Sequence, residues 1–305
     1  MGYTNFPNGL TSFGFPVIGG AFLTSGKVLW VNYTTGTDGS DRGVDAQRPL
    51  KTLDYAIGLC SADAGDMIIL MPGHAESIIA AGTITADIAG VTILGLGTGT
   101  KRPTFTFGTA TTATIAVSAA NVSIYNCIFD YTGVDAIATG INVTGASFLA
   151  KDCKYLMANS TNQATVAVTL GTGADSAKLY SSNVLAPNAG AAAWVTSAVA
   201  ADNVRIEDNL IQGDFSTAPI TNATNAWTNC SVARNSIVQA NSGAAAISLV
   251  STATGVVRDN VAKGTGWSAA TTPFGNSSTL LYAQNFAIDN VTGSAILCPA
   301  AGTIS

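Results

Sequence analysis

The stretch "VRIEDNLI" (204–211) sets three polar residues between pairs of apolar ones, and "CSVARNSI" (230–237) and "GVVRDNVA" (255–262) repeat the arrangement. Such a run is either an acid cluster carried on a strand or one rung of a repeat. Anchored on the last polar position, the column reads Cys127, Cys153, Asn183, Asn209, Asn235, Asn260 and Asn285, with steps of 26, 30, 26, 26, 25 and 25 residues. Three residues before each anchor stand Ile124, Ala150, Tyr180, Ile206, Val232, Val257 and Tyr282. Two residues after it stand Phe129, Tyr155, Leu185, Ile211, Ile237, Ala262 and Ala287. Neither flanking column contains a charge, Gly, Pro, Ser or Asn, which a chance alignment would not produce.

A second apolar run precedes most rungs: "ATIAV", "GINVT", "TVAVTL" and "AISLV", each followed by a short Gly- or Ser-containing turn. The unit therefore reads as strand, turn, strand, polar bend, strand. A period of roughly 20–50 residues marks a stacked repeat. These units are too poor in helix formers to be helical, so coils of about 25–30 residues stacked as strands at about 4.8 Å are expected. At the polar bend an Asn tolerates left-handed backbone, and its amide can bond to the coil above and below. The anchors Cys127, Cys153, Asn183, Asn209, Asn235, Asn260 and Asn285 are thus expected to form a structural ladder.

Composition narrows the function. Charged residues make up 10% of the chain, against roughly 25% in an average domain. A net charge of -5 with 13 scattered Lys and Arg offers no field for a phosphate backbone, so no nucleic acid partner is expected. No window is long and apolar enough for a membrane span, and "MGYTNFPNGL" has neither the basic nor the apolar region of an export signal. Neither a membrane partner nor export is expected. Five cysteines without CxxC spacing suggest buried thiols rather than disulfides or zinc.

The repeat resembles the right-handed parallel β-helix of pectate-lyase-like proteins and of many phage spikes and fibres, over roughly residues 65 to 290. Upstream, "RPLKTLDYAIGLCSADAGDMIILMPGHAESI" resembles the cap helix, Gly-Asp turn, first strand and Pro-Gly turn that open many β-helices. Thr52 can cap a helix whose Leu53, Ala56, Ile57 and Cys60 share one face, closing the stack. "GVTILGLG" (90–97) reads as an early coil with a Gly-rich bend. The expected organisation is an uncharged arm and lead-in strand over 1–48, a cap helix over 49–64, the β-helix over 65–290 and a tail over 291–305. Residues 1–26 carry no charge but interleave Phe6, Phe13, Phe15 and Phe22 with Gly, Pro, Asn and Thr. Such an arm must lie on something, either its own β-helix or a partner. The opening, and "VLWVNYTTGTDGSDRGVDAQRPLKTL", resemble starts of tailed-phage structural proteins.

The column just before the anchors is the one that carries charge: Asn126, Asp152, Ser182, Asp208, Arg234, Asp259 and Gln284. Asp208 and Asp259, two coils apart, would lie about 10 Å from each other, near the spacing of an inverting glycoside hydrolase. Arg234 between them would hold both ionised, whereas a general acid needs a raised pKa. A surface ion ladder of Asp208, Arg234 and Asp259 is therefore expected, with Glu207 and Arg258 beside it. His74, the single histidine, reads as a surface turn residue. Asp38, Ser40, Asp41 and Asp45 could hold calcium but lack EF-hand spacing. Trp194, Trp227 and Trp267 could stack on sugars if exposed, or anchor an interface.

No catalytic residue, metal or cofactor is expected. What the resemblance implies is a non-enzymatic virion protein assembled in the host cytoplasm: a head decoration or fibre, homo-oligomeric with a trimer favoured, gripping a phage capsid or other virion protein through its arm. The alternative is a tailspike-like β-helix that binds or cleaves a host surface glycan.

Overall fold

The computed structural model describes residues 24–290 apart from Ser160, Ala198, 223–224, 268–272 and 276–278, together with the backbone strands Thr11–Ser12, Phe15–Pro16 and Ala295–Cys298. The chain winds through three sheets and visits each about once per coil, so that strands far apart in sequence become neighbours. The first sheet has ten parallel strands, from Val28–Val31 to Leu280–Ala283. The second also has ten strands: nine parallel ones from Ala75–Ile78 to Asn285–Asp289, and Ala295–Cys298 added antiparallel at its end. The third has seven, from Ala81–Ala86 to Ile247–Leu249, and includes the strands anticipated at "ATIAV", "GINVT", "TVAVTL" and "AISLV". This is a parallel β-helix.

Strand alternation explains the core. Every second residue points inward, and register stacks those residues into columns. Ile124, Ala150, Leu179, Ile206 and Val232 stack in the first sheet, and Phe129, Tyr155, Val184, Ile211 and Ile237 in the second. All are buried in one continuous cluster running the length of the stack. Each such side chain contributes on the order of 1.5–3 kcal/mol that a single coil could not secure. Where strands narrow to Gly213 and Gly264, a Cβ would collide with the rings of Phe215 and Trp267. Those rings fold in from the following turns and fill the space the glycines leave.

The open end is capped as anticipated, by a shorter helix. Leu53–Gly58 buries Leu53, Ala56 and Ile57, Cys60 packs against the same core, and Thr52 Oγ1 accepts from Tyr55 N at 3.3 Å. Two carboxylates face its N-terminus, where the unpaired N–H groups favour negative charge. Asp38 Oδ1 accepts from Lys51 N and Thr52 N at 2.9 and 3.0 Å, and Glu76 Oε2 from Leu53 N at 3.1 Å. The expected boundaries shift in two places. The lead-in strand Val28–Val31 is the first strand of the β-helix itself, paired with Met67–Leu70, and the tail returns a strand to the second sheet. Phe6, Phe13 and Phe22 lie outside the described residues. Phe15 is described only by its backbone pairing with Ser12.

Two expectations about the ladder need correction. The rung assigned to Asn183 belongs to Ser182: Asn183 pairs with Lys154 and Leu210 on the outward side of the second sheet, while Ser182 is buried at the bend. The coil steps from Cys153 through Ser182, Asn209, Asn235 and Asn260 to Asn285 then become 29, 27, 26, 25 and 25 residues. Left-handed backbone falls not on the ladder residue but on the one before it. Asn126, Asp152, Ser181, Asp208, Arg234, Asp259 and Gln284 all have φ between 50° and 61°. The sharp turn and the amide ladder are thus divided between two adjacent columns.

Candidate functional site

The bend between the first and second sheets gathers the polar residues of the repeat, and its inner column is a continuous amide ladder. Asn209 Nδ2 donates to Asn235 Oδ1 at 2.9 Å, Asn235 Nδ2 to Asn260 Oδ1 at 3.0 Å, and Asn260 Nδ2 to Asn285 Oδ1 at 2.9 Å. Each Nδ2 also donates to a backbone carbonyl of the coil before: Leu179, Ile206, Val232 and Val257 in turn. Each Oδ1 also accepts a backbone N–H, from Ser182, Asn209, Asn235 and Asn260. A buried amide with both ends satisfied avoids the penalty of about 1–3 kcal/mol per orphaned group. The ladder is a staple with no spare group for chemistry.

Toward the N-terminus the same column holds Ser182, Cys153 and Cys127. Ser182 Oγ donates to Tyr180 O at 3.0 Å and accepts from Cys153 N at 3.4 Å. Burial pushes the Cys153 thiol up to about 11 and the Cys127 thiol well above its ordinary value. Cys230 is likewise raised to about 11 by burial. Cys60 is raised to about 11 by burial first and then by the Asp66 carboxylate. Thiols held protonated in this way are not nucleophiles.

The outer column carries the charges, paired differently from expectation. Arg234 grips Asp208 with two bonds, Nε to Oδ1 at 2.7 Å and Nη2 to Oδ2 at 2.9 Å, and reaches Glu207 Oε2 at 2.7 Å. Asp259 is held instead by Arg258, Nη1 to Oδ2 at 2.6 Å. The cause is reach: Glu207 and Asp208 together saturate one edge of the Arg234 fork, and Arg258 neighbours Asp259 in the chain. Hydrogen bonding from Arg234 lowers the Asp208 carboxyl below its ordinary value. The two carboxylates in turn hold the Arg234 guanidinium further above its own. An acid catalyst of glycoside hydrolysis needs the opposite shift.

His74 is not a surface residue. It is fully buried against Phe105, its Nδ1 accepts from Tyr33 N at 3.1 Å, and its Nε2 lies 3.1 Å from Glu76 Oε2. With Nδ1 accepting, Nε2 carries the proton and donates to Glu76, which also caps the helix. The pair ties the lead-in turn, the cap helix and the first strand of the second sheet together. Sequence alone did not indicate this, because "PGHAES" resembles an exposed turn at every position except the alternation that buries 74, 76 and 78.

The acidic loop is also spent on structure. Asp38 caps the helix, Asp41 pairs with Arg48, and Asp45 Oδ1 accepts from Gln47 N at 2.9 Å. Among the described residues no cluster of three or more His, Cys, Asp or Glu could hold a metal ion, and no helix is long and apolar enough to cross a membrane. Family models, curated proteins and solved structures returned no match to this chain. The remaining sugar-binding candidates are buried too. Trp194, Trp227 and Trp267 lie inside the stack, and Trp267 Nε1 donates to Ala244 O at 2.8 Å.

Proposed function

We propose that this chain is a non-enzymatic structural protein of a phage virion, a rigid β-helix that decorates or projects from the capsid. It acts as a homo-oligomer, a trimer by preference, held by its uncharged N-terminal arm to the capsid or to another virion protein, and assembles in the host cytoplasm. The observation that carries this reading is the state of the outer bend. Its carboxylates, the exposed Asp208 and the half-buried Asp259, are each locked by an arginine, so the face that could have served glycan cleavage is an ion-paired surface. The burial of Trp194, Trp227 and Trp267, three of the four tryptophans, removes stacking platforms a glycan-binding spike would use. Fold by itself does not assign function, and the assembly role rests on the low charge of the chain and on its phage-like opening.

The test compares the full-length chain with one lacking residues 1–26, by mass in solution and after mixing with empty phage capsids. Binding by the full chain alone is the expected result. If both forms ignore capsids, the assembly reading fails, and binding and cleavage of host surface polysaccharide become the measurements to make.

A further inference from the structure

In the later coils, the outward faces of the first two sheets differ sharply. On the first sheet these coils present the charged Arg205, Glu207 and Arg258 around the apolar Val256 and Leu281, with Asp208 and Arg234 at the adjoining bend. On the second sheet, register aligns two outward columns of another kind. One runs Asn183, Leu210, Ser236, Val261, Phe286, and the other Leu185, Gln212, Val238, Lys263, Ile288. Leu210 and Val261 are each 50% exposed and Phe286 37%. Exposed apolar side chains scattered singly need no explanation, but a contiguous stripe of them does.

We propose that this outer face of the second sheet, centred on Leu210, Ser236 and Val261, is where two copies of the chain associate. The inference deepens the oligomeric part of the proposed function and rests on that reading only there. A flat sheet whose side chains repeat at the strand spacing of about 4.8 Å meshes along its whole length only with a surface of the same pitch. A second copy supplies that surface, and the same rotation repeated brings in a third copy and closes the ring of a trimer. The face carries no acid over these coils and one base, Lys263, and its continuation to Ile128 adds one of each, Asp130 and Lys154, so it offers little to a charged partner. From Ile128 to Phe286 its footprint is on the order of 400 Å², seven strands at about 4.8 Å by about four residues. That is about half of the roughly 800 Å² a standard interface takes from each partner, as expected for an apolar centre inside a polar rim.

The experiment is sedimentation of the full-length protein from about 1 to 100 µM, a range that reads micromolar association directly. Beside it run Leu210→Lys with Val261→Lys, Ser236→Arg, and the control Leu281→Lys, which alters a 65% exposed apolar residue on the first sheet. All four positions are exposed, and Ser236→Arg removes no apolar contact of the folded chain; an unchanged melting curve verifies each variant. The double variant is expected to weaken association at least 100-fold and Ser236→Arg at least tenfold, while Leu281→Lys leaves it unchanged. A wild-type protein monomeric throughout, or second-sheet variants that associate as tightly as wild type, overturns the proposal. Capsid binding of the same variants is read separately, so a monomer that still binds capsids refutes this interface and leaves the assembly reading standing.

Discussion

The two halves of the β-helix solve the same problem with different side chains. In the early coils, adjacent turns are joined through stacked rings: Phe105 on Phe129 at 5.8 Å between centroids, and Phe129 on Tyr155 at 5.2 Å, with Trp194 edge-on to Tyr155. The ladder position there holds only Cys127, Cys153 and Ser182. In the later coils the same inward column shrinks to Ile211, Ile237, Ala262 and Ala287, and the ladder position becomes Asn throughout. Aromatic stacking adds about 0.5–1.5 kcal/mol per pair beyond area burial. The amide ladder supplies comparable stability through hydrogen bonds of about 0.5–1.5 kcal/mol each. The chemistry that joins coil to coil thus changes from ring stacking to amide hydrogen bonding along the stack.

The largest break is expected from Phe129→Ala, which opens a cavity in the ring stack and should cost about 3–5 kcal/mol in urea denaturation. Asn235→Leu should cost about 3 kcal/mol, since it removes the side-chain partner of Asn209 N and of Ile206 O and one of the bonds to each neighbouring rung. If the later coils lost nothing on Asn235→Leu, their cohesion would have to come from the apolar columns alone. At the capped end, His74→Leu leaves Tyr33 N and Glu76 short of a partner each, and a loss of about 2 kcal/mol is expected in thermal melts.

Smaller changes sharpen the contrast. Ser182→Asn would extend the amide ladder one coil into the aromatic half, with a gain of about 0.5–1 kcal/mol. Arg234→Ala should cost only about 0.2–1 kcal/mol at neutral pH, because the pair is largely exposed. Asp208 has a lowered folded pKa, so the stability it contributes is present above the ordinary carboxylate value of 3.8 and lost as pH falls through the lowered value. The difference between wild type and Arg234→Ala should therefore vanish in acid. A difference that persists there would mean that Arg234 acts through packing.

The sequence revealed the repeat, the cap helix and four of the five asparagine rungs because each rests on residue type at a fixed spacing. It misplaced the fifth because "KLYSSNVLA" (178–186) is apolar at both parities: Tyr180 and Leu185 satisfy the flanking columns as well as Leu179 and Val184 do. A one-residue slip is therefore silent in the sequence, where Asn183 matches the asparagine column and the buried Ser182 does not. The Arg258–Asp259 pair depends on rotamers, and the burial of Trp194 and Trp227 on short strands and of Trp267 on a turn depends on which way each segment faces, which no spacing encodes. The apolar stripe did leave a signal, since the residue after each late anchor reads Leu210, Ser236, Val261 and Phe286.

The division of labour at the bend, with left-handed backbone on one residue and the amide ladder on the next, is tested most directly by two neighbouring glycine substitutions. Equilibrium denaturation of Gln284→Gly and Asn285→Gly compares them at the last rung. Glycine relieves the left-handed conformation at Gln284, so stability should hold or rise by up to about 1 kcal/mol. At Asn285 it removes the bonds to Val257 and Asn260 and should cost about 3 kcal/mol. The reverse order, with Asn285→Gly tolerated and Gln284→Gly destabilising, would contradict the account.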